Sequence, residues 1–299
     1  MATETSAVTG TDVTKMKQVK LPGGIMGTRP SRVANVIGII VLILMGFPVY
    51  WMVLTAFKPG QYILSSPPQF LPTHVTLSNF VDALHRPYFW SSVGNSLIVT
   101  ISVVILSMVV AMAAALAVAW MPFRGRGNFI IAIILVQMIP LTALVIPVYL
   151  MLNQVGLTDT LPGVIITYLA FVLPFSIWTL RGFISGVPRE IEEAATIDGA
   201  TRWQTFRLII LPLVAPGLVA TSVFAFIQAW NEYILAYVLL SSQNKQTVTV
   251  WLAGFTTSHG TAWGPLMAAS ILVSIPVVVF FLIVQGRMAG GLTAGAVKG

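Results

Sequence analysis

Apolar residues run along this chain in six long stretches separated by polar loops, at 33–57, 91–120, 129–152, 162–184, 213–239 and 265–284. A helix crossing the hydrocarbon core of a bilayer needs roughly 20 mostly apolar residues, and each stretch reaches that length. The pattern predicts an all-α integral membrane fold with six transmembrane helices. Two long loops of opposite character lie between them, 58–90 and 185–212, with a third at 240–264. Residues 1–32 are polar, rich in Thr and Gly and without apolar periodicity, which predicts a disordered cytoplasmic N-terminal tail. The expected organisation is that tail, a first helix at 33–57, a five-helix core at 91–284 and a C-terminal cytoplasmic tail at 285–299.

Composition makes the bilayer the relevant solvent. Hydrophobic residues make up 57% of the 299 positions and charged residues 8%, against about a quarter charged in a soluble domain. Zero cysteines exclude a disulfide scaffold, a Cys-ligated zinc or iron–sulfur site and thiol catalysis. The net charge of +7 could mean nucleic acid or an anionic surface, so the position of the basic residues decides. They flank the helices, which favours topology over nucleic-acid binding. With loops assigned to alternate sides, one side takes 13 Lys and Arg and the other takes Lys58, Arg86 and Lys245. The positive-inside rule then puts both termini in the cytoplasm. The first stretch begins late, and it ends in Thr55-Ala56-Phe57-Lys58 without a small-x-small cleavage pattern, so it reads as a retained helix rather than a signal peptide. Pro48, Pro140, Pro147, Pro174, Pro216 and Pro276 fall inside the stretches. They are either ordinary packing kinks or hinges of a moving pathway.

The cytoplasmic loop 187–212 holds four of the nine acidic residues. Pro188 suits the first turn of a helix, and Glu190, Glu192 and Glu193 follow where the helix dipole favours carboxylates. Ile191, Ala194 and Ala195 fall on one face, Gly199 ends the helix as a C-terminal cap, and Thr201 with Gln204 forms a capping-box start for a second helix. The expected element is a short helix, a glycine bend and a second helix carrying Trp203, Phe206 and Arg207 toward the membrane. A small-residue face flanked by acids is a compact docking surface. The alternative is an interfacial helix lying on lipid, which would favour Lys and Arg on its polar face.

This loop resembles the EAA motif of ABC-importer permeases: Glu193, Ala194 and Ala195, then Gly199, Ile209, Leu211 and Pro212, at the family's spacing. Seven specified positions at roughly 5–10% background each make a chance match on the order of one in a million. The strings FPVYWMVLTAFKP, NSLIVT, GLTDTLPGVIITYLAF, AWNEYILA and the ending GGLTAGAVKG are similar, in order, to the second permease subunit of maltose-type sugar importers. The resemblance implies a type I ABC importer permease fold in a bacterial plasma membrane and import of a carbohydrate, a di- or oligosaccharide, with another small polar solute such as glycerol phosphate or a polyol as the alternative. It implies that Glu192, Glu193, Ala194, Ala195, Asp198 and Gly199 couple to an ATPase, and that Gly290, Gly291 and Lys298 reach the ATPase interface. It also implies the partners: a second, different permease, an ABC ATPase dimer and an extracytoplasmic sugar-binding protein. The chain has no G-x-x-x-x-G-K-S/T phosphate loop, so ATP and Mg²⁺ belong to the ATPase, and no catalytic residue or cofactor is expected here.

Span five carries the one acid inside an apolar stretch, Glu232, next to Asn231. At 100° per residue Thr221, Gln228 and Glu232 share an arc of about 40°, which predicts a stripe toward the bundle interior. Two roles stay open for it, capping or gating and direct substrate contact. Asn95, Ser96, Gln137 and Thr142 are further polar candidates that could simply bond a neighbouring helix. The loop SSQNKQTVTVWLAGFTTSHGTAWG suits a polar ligand or docked protein, and its His259 has no second ligand at metal spacing. Two other classes compete. An ion-coupled secondary transporter would show an internal repeat and midplane acids, and a membrane enzyme would cluster its His, Asp, Glu or Ser at one face.

Overall fold

The computed structural model describes residues 32–71 and 73–295. Among them, five helices are long and apolar enough to cross a membrane, and six if one sharply bent pair counts as a single span. They are α1 (Arg32–Ala56), α4 (Phe89–Trp120), α7 (Leu161–Ser185), the run Arg202–Asn231, and α13 (Trp263–Gly295). The short helices α2 (Gly60–Ile63) and α3 (Ser78–His85) lie between α1 and α4. The chain divides into two units at Tyr50 and Trp51, so residues 32–50 of α1 stand as one unit and the packed bundle belongs to the other.

Three expected boundaries move. The stretch at 129–152 is not one helix: α5 (Arg126–Gln137) and α6 (Leu141–Gln154) meet at a bend of 99°. Pro140 supplies the cause, because it has no N–H to continue the ladder and forces the preceding residue out of the helical region. The stretch at 213–239 also breaks, at Glu232, leaving α10 (Leu211–Asn231) and α11 (Ile234–Leu239). The sixth stretch continues as helix past Val284, so Gly290 and Gly291 lie within α13 rather than in an extended tail. Of the expected N-terminal tail, residues 1–31 lie outside the described residues, as does Lys298.

Helices α4, α7 and α10 pack together through small residues. Ser107, Ala111, Ala115, Gly163, Ser176, Gly217, Ala225 and Ala229 are all buried, and such residues let backbones approach closely where lipid supplies no hydrophobic drive. The hydroxyls of Thr167, Ser176 and Thr221 bond carbonyls one turn back in their own helices, which removes the cost of burying them. The closest approach is at Gly217, where an added Cβ would collide with the ring and Cβ of Phe183 on α7. Gly217→Val is therefore expected to destabilise the bundle by about 1–3 kcal/mol, read as a lower melting temperature in detergent. Phe183→Ala in the same chain should recover part of the loss.

The end of the bundle opposite the 187–212 loop is stitched by polar contacts. Asn79 on α3 donates to the carbonyls of Ala56 and Lys58, and Lys58, only 2% exposed, donates to the Gln69 carbonyl. Asn95 and Ser96 of α4 hold the segment before and into α12 (Val248–Ala253), through the Asn244 and Gln246 carbonyls and the Val248 amide. These two candidates are structural anchors. The 240–264 loop is thus ordered, with α12 followed by a two-strand hairpin pairing Thr256 with Thr261.

Asp159, between α6 and α7, closes the same end. Its carboxylate accepts from the amides of Ser241 and Ser242, from the Ser242 hydroxyl and from Lys245 Nζ at 2.9 Å. Burial alone would raise its pKa, but the bonds from Lys245 and Ser242 win and hold the carboxyl well below the usual range. A depressed carboxylate contributes stability above its unfolded pKa and loses it as pH falls toward the folded value. Asp159→Asn should therefore lower thermal stability at pH 7, and the difference from wild type should shrink as pH drops below about 4. Melting curves across that range measure it.

Candidate functional site

The 187–212 loop folds as expected in outline. Helix α8 (Arg189–Ile197) starts after Pro188. Gly199 takes φ +82°, while the Ala200 amide bonds the Ala195 carbonyl and the Gly199 amide bonds the Thr196 carbonyl. That is a left-handed helix stop in which glycine avoids a cost of about 1–2 kcal/mol. Thr201 and Gln204 cap each other reciprocally at the start of α9 (Arg202–Thr205). There is no gap between α9 and α10: the chain passes through a π-helical turn, Phe206–Ile210, into the long helix. Such a turn inserts one residue per bond ring and recurs at functional sites.

Helix α8 is fixed to the bundle on one side only. Ala195 is buried, Glu192 is half-buried, and Arg189 Nη2 donates to the Trp120 carbonyl at the end of α4. Arg126 caps the same helix end through the Ala119 carbonyl, and cations suit a helix C-terminus. The opposite face presents Glu190, Glu193, Ala194 and Ile197 to solvent, with Asp198 and Gly199 following. Ile197 is 86% exposed. The sequence reading missed it, although it lies four residues after Glu193 and therefore above it on the helix surface. Ala194 and Ala195, expected on one face, point to different ones.

From Arg202 to Asn231 the chain is helical over 30 residues, about 45 Å of rod. Its far end reaches a cavity of about 400 Å³ that opens beside both helix breaks. Gln137 and Ile139 come from the α5–α6 bend, Phe175 and Tyr168 from α7, and Phe224, Gln228 and Glu232 from α10 and its end. Backbone that leaves the helix is tolerated among apolar helices where protein buries it or where it lines a cavity, and residues at both breaks line this one.

Glu232 holds the corner between α10 and α11. Its Oε1 accepts from the Leu235 amide at 2.8 Å, and Oε2 accepts from the Ala236 amide at 3.1 Å and the Tyr168 hydroxyl at 2.6 Å. The carbonyl of the same residue accepts from Thr249 Oγ1. The carboxylate thus does the work of an N-terminal cap for α11 and ties it to α7. Of the expected stripe, Gln228 and Glu232 reach the cavity. Thr221 does not line it: it is buried against neighbouring helices and its hydroxyl bonds the Gly217 carbonyl. Asn231 bonds back to the Ile227 carbonyl.

Residues 111–292 match the family described as binding-protein-dependent transport system inner membrane component. The chain is 46% identical to the diacetylchitobiose uptake system permease protein DasC of Streptomyces coelicolor, over 89% of this chain and 96% of that one. It is 37% identical to the trehalose transport system permease protein SugB of Mycobacterium tuberculosis, over 92% of this chain and all of that one. A chain in the crystal structure of a bacterial ABC transporter involved in alginate import superposes with a TM-score of 0.73 at 24% identity, covering 87% of this chain and 98% of that one. The matched family spans α8, both sides of its bend and the cavity wall formed by α7 and α10. The protein belongs to the binding-protein-dependent transport system inner membrane components, as a multi-pass sugar-transporter-like permease with the type I ABC importer fold rather than an enzyme.

Proposed function

We propose that this chain is one of two different permease subunits of an ATP-driven importer that carries a di- or oligosaccharide across the plasma membrane by alternating access. Both termini and α8 face the cytoplasm, consistent with the 13 basic residues assigned to that side. The observation that carries the reading is the join between α8 and α10. A short helix with a solvent-facing acidic and apolar surface is continuous, through a glycine bend and a π turn, with the rod whose far end lines the cavity. A partner that moves α8 moves the cavity wall.

The partner is a pair of ABC ATPases, which bind the ATP and Mg²⁺. Glu193, Ala194 and Ile197 form the contact, Gly199 sets its angle, and Glu192 and Ala195 brace α8 from behind. The residues Gly290, Gly291 and Lys298 approach the same ATPases at the C-terminal end. An extracytoplasmic binding protein delivers the sugar to the Asp159 end of the bundle. The saccharide class is supported by the diacetylchitobiose and trehalose systems to which the relatives belong.

The test is uptake into proteoliposomes holding the complete complex. Labelled diacetylchitobiose or trehalose should enter only with ATP, Mg²⁺ and binding protein. Uptake driven by a proton or sodium gradient without the ATPase would overturn the reading.

A further inference from the structure

The cavity at the two helix breaks has chemistry that the coupling role does not use. Its lining includes no Lys, Arg or His, so nothing there would neutralise an anion. Its one carboxylate, Glu232, already accepts three hydrogen bonds from the protein, so it is not a free site for a cation. Two carboxamides remain, Gln137 and Gln228, and neither is held by a hydrogen bond among the described residues. Beside them stand the rings of Phe171, Phe175 and Phe224. Phe175 of α7 and Phe224 of α10 lie with centroids 3.8 Å apart and planes at 32°.

We propose that this cavity is a saccharide contact site supplied by this chain itself, in which Gln137 and Gln228 bond sugar hydroxyls while Phe224 and its neighbouring rings take the C–H face of a pyranose. The proposal rests on the saccharide-importer reading above. An amide offers both a donor and an acceptor, which suits the mixed demands of a hydroxyl. The electron-rich face of a ring attracts the polarised C–H groups of a sugar. A volume of about 400 Å³ falls in the range of small-molecule sites, roughly 300–1,000 Å³, and discontinuous membrane helices commonly meet at a transporter's binding site. The chemistry selects a neutral polyhydroxylated solute over a phosphorylated one. Because the two closely placed rings come from α7 and α10, a shift of the α10 rod would separate them and weaken the site, giving release a structural cause.

The test compares wild type with the double variant Gln137→Ala, Gln228→Ala and with Phe224→Leu and Phe224→Trp, each in the complete complex in proteoliposomes. Diacetylchitobiose and trehalose are the probes. The double variant and Phe224→Leu should lower saccharide uptake by about tenfold or more and change the uptake ratio between the two sugars. ATP hydrolysis stimulated by the sugar-loaded binding protein should stay within about twofold of wild type, and Phe224→Trp should retain uptake. Uptake unchanged in the double variant, or lowered by one common factor for both sugars, overturns the site while leaving the importer reading intact. A wild-type complex that imports a non-saccharide solute and neither sugar overturns both.

Discussion

Glu193→Lys is expected to abolish sugar uptake while leaving membrane insertion and subunit assembly of the permease pair intact. The side chain stands on the solvent face of α8 and makes no hydrogen bond to its own chain among the described residues, so the fold does not need it. The expected damage is at the docked surface. In the proposed contact Glu193 meets a cation of the ATPase, so a lysine there sets like charges together at a cost of several kcal/mol, and about 3 kcal/mol lowers occupancy roughly a hundredfold. Uptake and ATPase activity, measured together on the reconstituted complex, separate the cases. Uptake should vanish and ATP hydrolysis should no longer respond to the sugar-loaded binding protein. Ile197→Asp should act in the same direction, because the proposed contact uses this apolar side chain, 86% exposed and one helical turn from Glu193. Normal, coupled transport in both variants would remove α8 from the pathway of energy transfer.

Glu232→Ala has the second largest expected effect, and its cause is internal. The substitution strips acceptors from the Leu235 and Ala236 amides and from the Tyr168 hydroxyl. Tyr168 is 2% exposed, so its hydroxyl loses a partner that only water within the cavity could replace. Unsatisfied buried donors cost about 1–3 kcal/mol each, and the corner between α10 and α11 should loosen. A lower melting temperature in detergent, together with lost uptake, is the expected result. Glu232→Gln keeps one carbonyl oxygen and should fall between the two. A Glu232→Ala protein with wild-type stability but no uptake would instead make the carboxylate a direct contact of the solute.

Helix α8 was legible from sequence because its signals are local. A proline before α8, a glycine after it and the Thr201–Gln204 capping pair each act within a few residues, and the structure places them as that chemistry requires. The apolar stretches likewise announced the spans, since length and hydropathy need no tertiary knowledge. The two breaks were not legible in the same way. Pro140 was visible, yet prolines also occur inside the continuous helices α1, α7, α10 and α13, so its presence alone does not separate a kink from a 99° bend. At Glu232 no proline or glycine marks the break. It exists because a carboxylate competes for the amides of the following turn and a tyrosine on another helix holds it there, and that pairing spans 64 positions. Thr221 turns to the bundle interior as expected, but its level relative to the cavity was not legible, for a related reason. Helical geometry aligned it correctly with Gln228, but only the packing of α4 and α7 shows that the cavity ends before its level.

The absence of cysteine in the sequence permits a direct measurement of coupling between α8 and the cavity. A chain carrying Gln228→Cys, assembled into the complete importer, is exposed to a membrane-impermeant maleimide from the cytoplasmic side, first without nucleotide and then trapped with ATP. If ATPase closure moves the rod from Arg202 to Asn231, labelling at position 228 should differ at least about tenfold between the two states, and Glu193→Lys in the same chain should erase the difference. Equal labelling in both states, in a complex whose ATP hydrolysis still responds to the sugar-loaded binding protein, would contradict a cavity gated through α8.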